Sequence, residues 1–216
     1  GIKNLFVVCI LFYSSLVSAE ESSLGELWNS TYRHVDHARH HIDHMLGLTL
    51  ADDVKQNVGT KVKSACDHFS TELDKFGGQL ESKAQGEHNS DLQSAANNAA
   101  TQFKSSSQTL KGLSGNDLRQ QNTEYFKAAD LFLEKTKKII DAGPCDEIAP
   151  IVREGLNELK SDCDKYQDEF HAAVGSHSPP AGGQGHHYHH SQGQHQRHSH
   201  SDESDSHSSE ETHHKH

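Results

Sequence analysis

The sequence predicts an all-α fold: an antiparallel bundle of about five amphipathic helices followed by a disordered tail rich in histidine. Between residues 22 and 174, apolar side chains recur at steps of three and four, which places them on one stripe of each helix. No segment has the period-two alternation or the β-branched richness of a strand. Beyond residue 176 the chain is mostly Ser, Gly, Gln, His and acid, which cannot bury enough apolar surface to fold.

The beginning of the chain has the pattern of a cleaved secretory signal, which we assign to residues 1–19. A lysine precedes the apolar run 5–17, and small residues follow it, as a signal peptidase requires. The run is too short to span a bilayer as a helix, and no later segment is apolar enough. We therefore expect a secreted, extracellular protein without a transmembrane anchor, with a bundle domain over residues 20–175 and a tail over residues 176–216.

Five apolar stripes give the helices in order. The first ends at Gly47, and the second runs past Gly77 and Gly78, where we expect the helix to continue or kink. The third is diluted by Ser, Asn and Ala, which predicts a loose or expandable core. The fourth stops at Gly143-Pro144, and the fifth begins shortly afterwards. The stripe residues are Leu24, Trp28, Val35, Ala38, Ile42, Met45; Val54, Val58, Val62, Ala65, Phe69, Leu73, Phe76, Leu80; Leu92, Ala95, Ala99, Phe103, Leu110; Leu118, Tyr125, Phe126, Ala129, Leu133, Thr136, Ile140; and Val152, Leu156, Leu159, Cys163, Tyr166, Phe170, Val174.

Two of the helix starts carry a predicted side-chain cap. Thr49 and Asp52 have the spacing of a capping box before the second helix. Asn116 is placed to cap the fourth helix. Each side chain would satisfy backbone N–H groups that the first turn of a helix leaves without a partner.

Export predicts two covalent modifications, a disulfide and a glycan. Cys9 leaves with the signal, so the mature chain keeps Cys66, Cys145 and Cys163. Along a continuous fifth helix the last two lie roughly 27 Å apart, whereas bridged α-carbons lie within about 7 Å. Cys66 and Cys163 sit at matching levels of an up-down bundle, so we predict that they pair and that Cys145 could link a dimer. Asn29 begins the one glycosylation sequon, which makes the protein a predicted glycoprotein.

The tail is the most distinctive feature of the chain, because twelve of its last forty residues are histidine. Neutral imidazole is a good ligand for zinc and copper, so we expect numerous exchangeable metal sites of modest affinity, and haem is a further candidate. The alternative interpretation is a solubilising tail whose histidines have no selected role. The candidate ligands of the tail are His186, His187, His189, His190, His195, His198 and His200.

The first predicted helix adds five candidate ligands within eleven residues, on or beside the face opposite the apolar stripe: His34, His37, His40, His41 and His44. His37/His41 and His40/His44 are i, i+4 pairs, whose rings can approach one ion from successive turns. Glutamate is absent between these histidines, so the His-Glu-x-x-His motif of zinc proteases is missing. The alternative is a solvated polar face in which histidine happens to be common.

The neighbours of these histidines complete the metal hypothesis. Asp36 and Asp43 could orient the rings or add a carboxylate ligand. The remaining histidines of the predicted bundle stand alone in the sequence, and we interpret His68, His88 and His171 as ordinary surface residues.

The chain lacks the signatures of an enzyme and of a nucleic-acid-binding protein. No two cysteines have Cys-x-x-Cys spacing, which excludes a zinc finger. There is no nucleophile elbow, P-loop or dinucleotide glycine motif. At neutral pH the formal charge is −11 and no basic stripe is present, so nucleic acid is not an expected partner. Protonating all twenty histidines would invert the sign of the molecule, between roughly pH 5 and 8.

The layout resembles two kinds of extracellular protein. The tail is similar in composition to histidine-rich metal- and haem-binding glycoproteins, which implies ligation of metal ions or haem. Residues 22–174 resemble, in length and in their five amphipathic helices, the small exchangeable apolipophorins of insects. That resemblance implies a bundle that opens and lays its apolar faces on lipid, although a Cys66–Cys163 bridge would hinder opening.

Two main functions follow from these observations. The first is a carrier or buffer of zinc, copper or haem in extracellular fluid, with the bundle as a scaffold. The second is a carrier of lipid or another apolar ligand, which the small residues of the third helix favour. A pH-dependent secreted effector or antimicrobial factor is a further alternative, because the charge inverts on acidification.

Overall fold

The structure, a computed structural model, describes residues 2–113 and 117–175, with side chains from residue 23 onward. Within these ranges the protein is all-helical and has no strand. The five helices are α1 (Ile2–Leu46), α2 (Asp52–Ala84), α3 (Ser90–Gly112), α4 (Leu118–Asp141) and α5 (Ala149–Gly175). The predicted disordered tail, residues 176–216, lies outside the described residues.

The helix α1 is longer than its apolar stripe requires, because it begins at Ile2 and includes the segment that we assign to the signal. Cleavage of that segment stays a prediction. None of the five helices, over the part of the chain that the structure describes, is both long and apolar enough to cross a membrane.

The helix starts differ from the predicted caps. The N-cap of α2 is Ala51, which makes no side-chain bond, so the capping box predicted at Thr49 and Asp52 is wrong. Asp117 caps α4 by accepting from the Gln120 N–H at 3.0 Å. The predicted cap of α4, one residue earlier, lies outside the described residues. Asp52 still stabilises the start of α2, because a carboxylate in the first turn faces the positive end of the helix dipole.

The predicted stripes form the hydrophobic core. Most stripe residues are buried, and the others pack against the core while partly exposed: Trp28, Ala65, Ala95, Leu118 and Val174. The second helix continues through Gly77 and Gly78 without interruption, as one of the two predicted possibilities. The fourth helix ends where glycine was expected to stop it, because Gly143 adopts a φ of 75° that other residues rarely reach.

The small residues of α3 pack closely against α2. A Cβ atom on Gly77 would lie 3.1 Å from the carbonyl oxygen of Ala100, so glycine allows α2 and α3 to approach each other. The buried Ser107 hydroxyl donates to the Ser70 carbonyl at 2.7 Å across the same contact. Towards α4, by contrast, Ser106 and Leu110 of α3 line an open pocket of about 450 Å³. An expandable core around α3 therefore stays a prediction.

Buried polar groups fix how α1, α4 and α5 meet. The Asn122 amide donates to the Asp43 carboxylate at 2.9 Å, and the Tyr166 hydroxyl donates to the Asn122 side-chain oxygen at 2.9 Å. The Trp28 indole N–H donates to the Leu133 carbonyl at 2.8 Å. Unpaired polar groups in a core are costly, so these bonds favour one arrangement of the three helices over others of equal apolar burial.

Candidate metal-binding histidines

Two of the five histidines of α1 lie at the edge of the face that packs on α5, and three are exposed. Val35 and Ile42 point into the core, so the residues before them in sequence, His34 and His41, are turned about 100° away and are half-buried. His37, His40 and His44 are exposed on the surface. Exposure of His37, His40 and His44 agrees with the predicted face opposite the apolar stripe, whereas His34 and His41 lie nearer to that stripe and contact α5.

Three histidines from two helices lie together at one edge of this contact. The rings of His37 and His41 are stacked, with centroids 6.4 Å apart and an interplanar angle of 10°. The ring of His171, on α5, lies 5.5 Å from that of His41 at an angle of 33°. We name His37, His41 and His171 the histidine triplet. His171 is a surface residue as the sequence predicts, but it does not stand alone, because the fold places its ring beside that of His41.

The same edge carries a second contact two helical turns away. His34 Nδ1 donates to the Asp164 carboxylate at 2.7 Å. From this pair, a step of seven residues along each helix leads to His41 and His171. On α5, Asp164 comes one residue after the buried Cys163, and His171 comes one residue after the buried Phe170. This seven-residue repeat is the sequence pattern from which the triplet could have been predicted.

The other predicted pair on α1 is arranged differently. His40 Nε2 lies 3.5 Å from the Asp36 carboxylate, and both are exposed. Asp36 therefore contacts a histidine as the sequence suggested. Asp43 does not, because its carboxylate accepts the hydrogen bond from Asn122. His44 is exposed on the last turn of α1.

A second acid–histidine contact joins α2 to α5, and it involves His68, which is a surface residue as the sequence predicts. His68 Nε2 lies 3.1 Å from Oδ1 of Asp162, whose other carboxylate oxygen is buried with no hydrogen-bond partner. Burial raises the pKa of Asp162 to about 6; the charge of His68 opposes this shift, while Glu158 and Glu72 add to it. Both residues line the small cavity beside Tyr125.

The described side chains do not form a complete metal site as they stand. Across residues 23–113 and 117–175, no three side chains of His, Cys, Asp or Glu are arranged to hold one ion. The triplet nevertheless fits the chemistry of a zinc or copper ion, since all three donors are imidazoles of the type these metals prefer. With a Zn–N bond of about 2 Å, two imidazoles on one ion have centroids about 5 Å apart. The His41–His171 separation of 5.5 Å is near this value, and the His37–His41 separation of 6.4 Å is longer.

The cysteines are free thiols, so the Cys66–Cys163 disulfide that the sequence predicts is absent from the structure. Both thiols are buried, and each contacts α4 instead of the other. The Cys66 thiol donates to the Gln121 carbonyl at 3.7 Å, and the Cys163 sulfur lies 3.8 Å from the Tyr125 hydroxyl. Burial raises the pKa of each thiol to about 12, which leaves both protonated and unreactive.

The remaining predicted sites fall outside this edge. Asn29 is exposed within α1, but the Thr31 of its sequon is buried and donates to the Leu27 carbonyl at 2.8 Å. Cys145 is half-buried before α5. The tail ligands lie outside the described residues: His186, His187, His189, His190, His195, His198 and His200.

Comparison with known proteins gives no family for this chain. No family model matches it, and neither a curated protein nor a solved structure does. Function is therefore inferred from the chemistry of its own residues.

Proposed function

We propose that the protein is a secreted, non-enzymatic carrier or buffer that binds zinc or copper ions in extracellular fluid, with haem as the alternative ligand. The observation that carries the proposal is the histidine triplet, because the ring of His41 lies 6.4 Å from that of His37 on the same helix and 5.5 Å from that of His171 on α5. The dense histidines of the tail supply further donors of the same chemistry.

The proposal includes an antiparallel bundle, in which successive helices alternate in direction and α1 and α5 are parallel. What supports it is the order of the contacts. His34–Asp164 and His41–His171 rise together in residue number. In antiparallel helices, residue numbers along the contact increase on one helix and decrease on the other. The ion pairs between α2 and α5 follow this pattern, His68–Asp162 and Lys75–Glu154. So do the ion pairs between α3 and α2, Lys104–Glu81 and Lys111–Asp74.

Calorimetric titration tests the metal proposal. The full chain is titrated separately with zinc chloride, copper chloride and haemin, beside a full-length variant in which the twelve tail histidines are replaced by Gln. We expect zinc or copper to bind both proteins, with fewer sites on the variant, and a Soret shift would identify haem as the ligand.

The titration of the unsubstituted full-length chain decides whether the metal proposal stands. Absence of binding at micromolar concentration of zinc, copper and haemin would overturn the proposal. Clearance of lipid vesicles by a chain that binds none of them would instead support carriage of an apolar ligand. Any histidine-rich segment binds some metal, whatever its biological role. The variant without tail histidines is the control for this nonspecific binding.

A further inference from the structure

The edge between α1 and α5 brings imidazole donors from two helices together. His41 lies five residues before the end of α1, and His171 lies four residues before the end of α5. Both therefore lie inside their helices, before the last turn in which the helix dipole acts. Their ring centroids are 5.5 Å apart, so the case for a cation here depends on the imidazole donors themselves.

The geometry points to one transition-metal site made by His37, His41 and His171, which takes Zn²⁺ or Cu²⁺ and joins the C-terminal ends of α1 and α5. This inference rests on the proposed function and names the ligands of its one defined site. His37 and His41 supply the i, i+4 pair from one helix, and His171 supplies a third nitrogen from another. A fourth position remains for water or a further ligand.

The three rings have to rotate to direct a nitrogen at one ion. His37 and His171 are exposed and His41 is half-buried, so their rings can turn without disturbing the core. A turn of about 30° from a preferred rotamer costs roughly 1 kcal/mol. The neighbouring residues Ala38, Ile42 and Phe170 stay buried, which fixes the two backbones while the rings converge.

The other histidines of α1 lack one of these features. His40 lies 3.5 Å from Asp36 on its own helix, and His44 is exposed on the last turn of α1. The pair His40/His44 has the same i, i+4 spacing as His37/His41. It therefore serves as a matched control for spacing and for the number of imidazoles removed.

The experiment uses the full-length chain in which the twelve tail histidines are replaced by Gln, so that the tail does not mask the site. Into it are introduced His171→Gln, His37→Gln with His41→Gln, and two controls. The controls are His40→Gln with His44→Gln, and His88→Gln in the turn between α2 and α3. Zn²⁺ alone and Cu²⁺ alone are the probes, and circular dichroism checks that each variant is folded.

We expect loss of one ligand to weaken metal affinity at least about tenfold, since even outer-shell partners of metal ligands cost that much. His171→Gln and the His37/His41 variant should both show this loss, and the two controls should not. The site joins two helices of the folded state, so Zn²⁺ should raise the midpoint of thermal unfolding. That rise should disappear with His171→Gln.

Three results would overturn the inference. His171→Gln could bind as tightly as His88→Gln, which would leave a two-histidine site on α1 alone. The His40/His44 control could lose as much affinity as the His37/His41 variant. The tail-substituted chain could bind no metal while the unsubstituted chain does, in which case the proposed function stands and the triplet site is rejected.

Discussion

Asp162 is the residue whose ionisation the fold most disfavours among the described carboxylates with a shifted pKa. Its side chain is 11% exposed, and one oxygen has no hydrogen-bond partner. The partner of the other oxygen, His68, is 53% exposed and so compensates poorly for the lost hydration. Burial thus raises the pKa of Asp162 from 3.8 to about 6. At neutral pH, the buried negative charge of Asp162 therefore lowers the stability of the folded protein.

The sign of this effect on stability follows from proton linkage. Between pH 4 and 6 the folded state holds a proton on Asp162 that the unfolded state has released, because the folded pKa is the higher one. Stability therefore falls as pH rises through this window. A shift of about two units corresponds to at most about 3 kcal/mol, and solvent near the cavity reduces that figure.

Replacing Asp162 by Asn should stabilise the protein at pH 7.5 by about 1–3 kcal/mol, because the buried charge is removed. At pH 4 the gain should be much smaller, since Asp162 is already protonated in the folded state. Urea unfolding at both values of pH measures the difference. Asp164→Asn is the control, because that carboxylate is 49% exposed and pairs with His34. Destabilisation by Asp162→Asn at pH 7.5 would mean that the pair with His68 is net favourable.

At the scale of helices, four elements meet at one glycine. A Cβ atom on Gly155 of α5 would lie 2.7 Å from Cζ of Phe132 of α4, closer than real Cβ contacts allow. That ring cannot move aside easily, because it stacks on Phe103 of α3 at 4.9 Å and contacts Phe76 of α2 at 6.0 Å. Gly155 is therefore required by packing.

Gly155→Ala should destabilise the protein by about 1–3 kcal/mol, the usual cost of inserting a methyl group into a filled core. Alanine is the better helix former by about 1 kcal/mol, so the sign of the change separates packing from propensity. Gly78→Ala is the matched control, because it is exposed, lies inside α2 and would meet nothing within 4 Å. Thermal unfolding of both variants measures the contrast; equal stabilisation by the two would refute the packing argument.

The helices themselves were predictable because each apolar stripe is a local pattern, and burial of that stripe is what holds the helix. The exact starts were not: α2 begins at Asp52 behind Ala51, although Thr49 offered a plausible cap. The triplet was half predictable. The pair His37/His41 follows from helical spacing, whereas His171 depends on the register between α1 and α5, which is set by side chains far apart in sequence.

The cysteines show the same limit for the whole molecule. The sequence places Cys66 and Cys163 on or beside apolar stripes, and both are buried in the core. The direction of each thiol depends on α4, where Gln121 and Tyr125 supply the contacts. Spacing along two helices carries no information about a third helix. The predicted Cys66–Cys163 disulfide is wrong for this reason, because each thiol points to α4 instead of to the other cysteine.

Because Cys66 and Cys163 are buried and Cys145 is half-buried, alkylation reports the opening of the whole bundle. In native buffer, iodoacetamide should modify Cys145 and leave the other two intact, since their raised pKa values and burial suppress the thiolate. Unfolding in urea without a reductant should expose both, and mass spectrometry of peptides assigns each site. If Cys66 and Cys163 stay unmodified until a reductant is added, the protein has a disulfide between them.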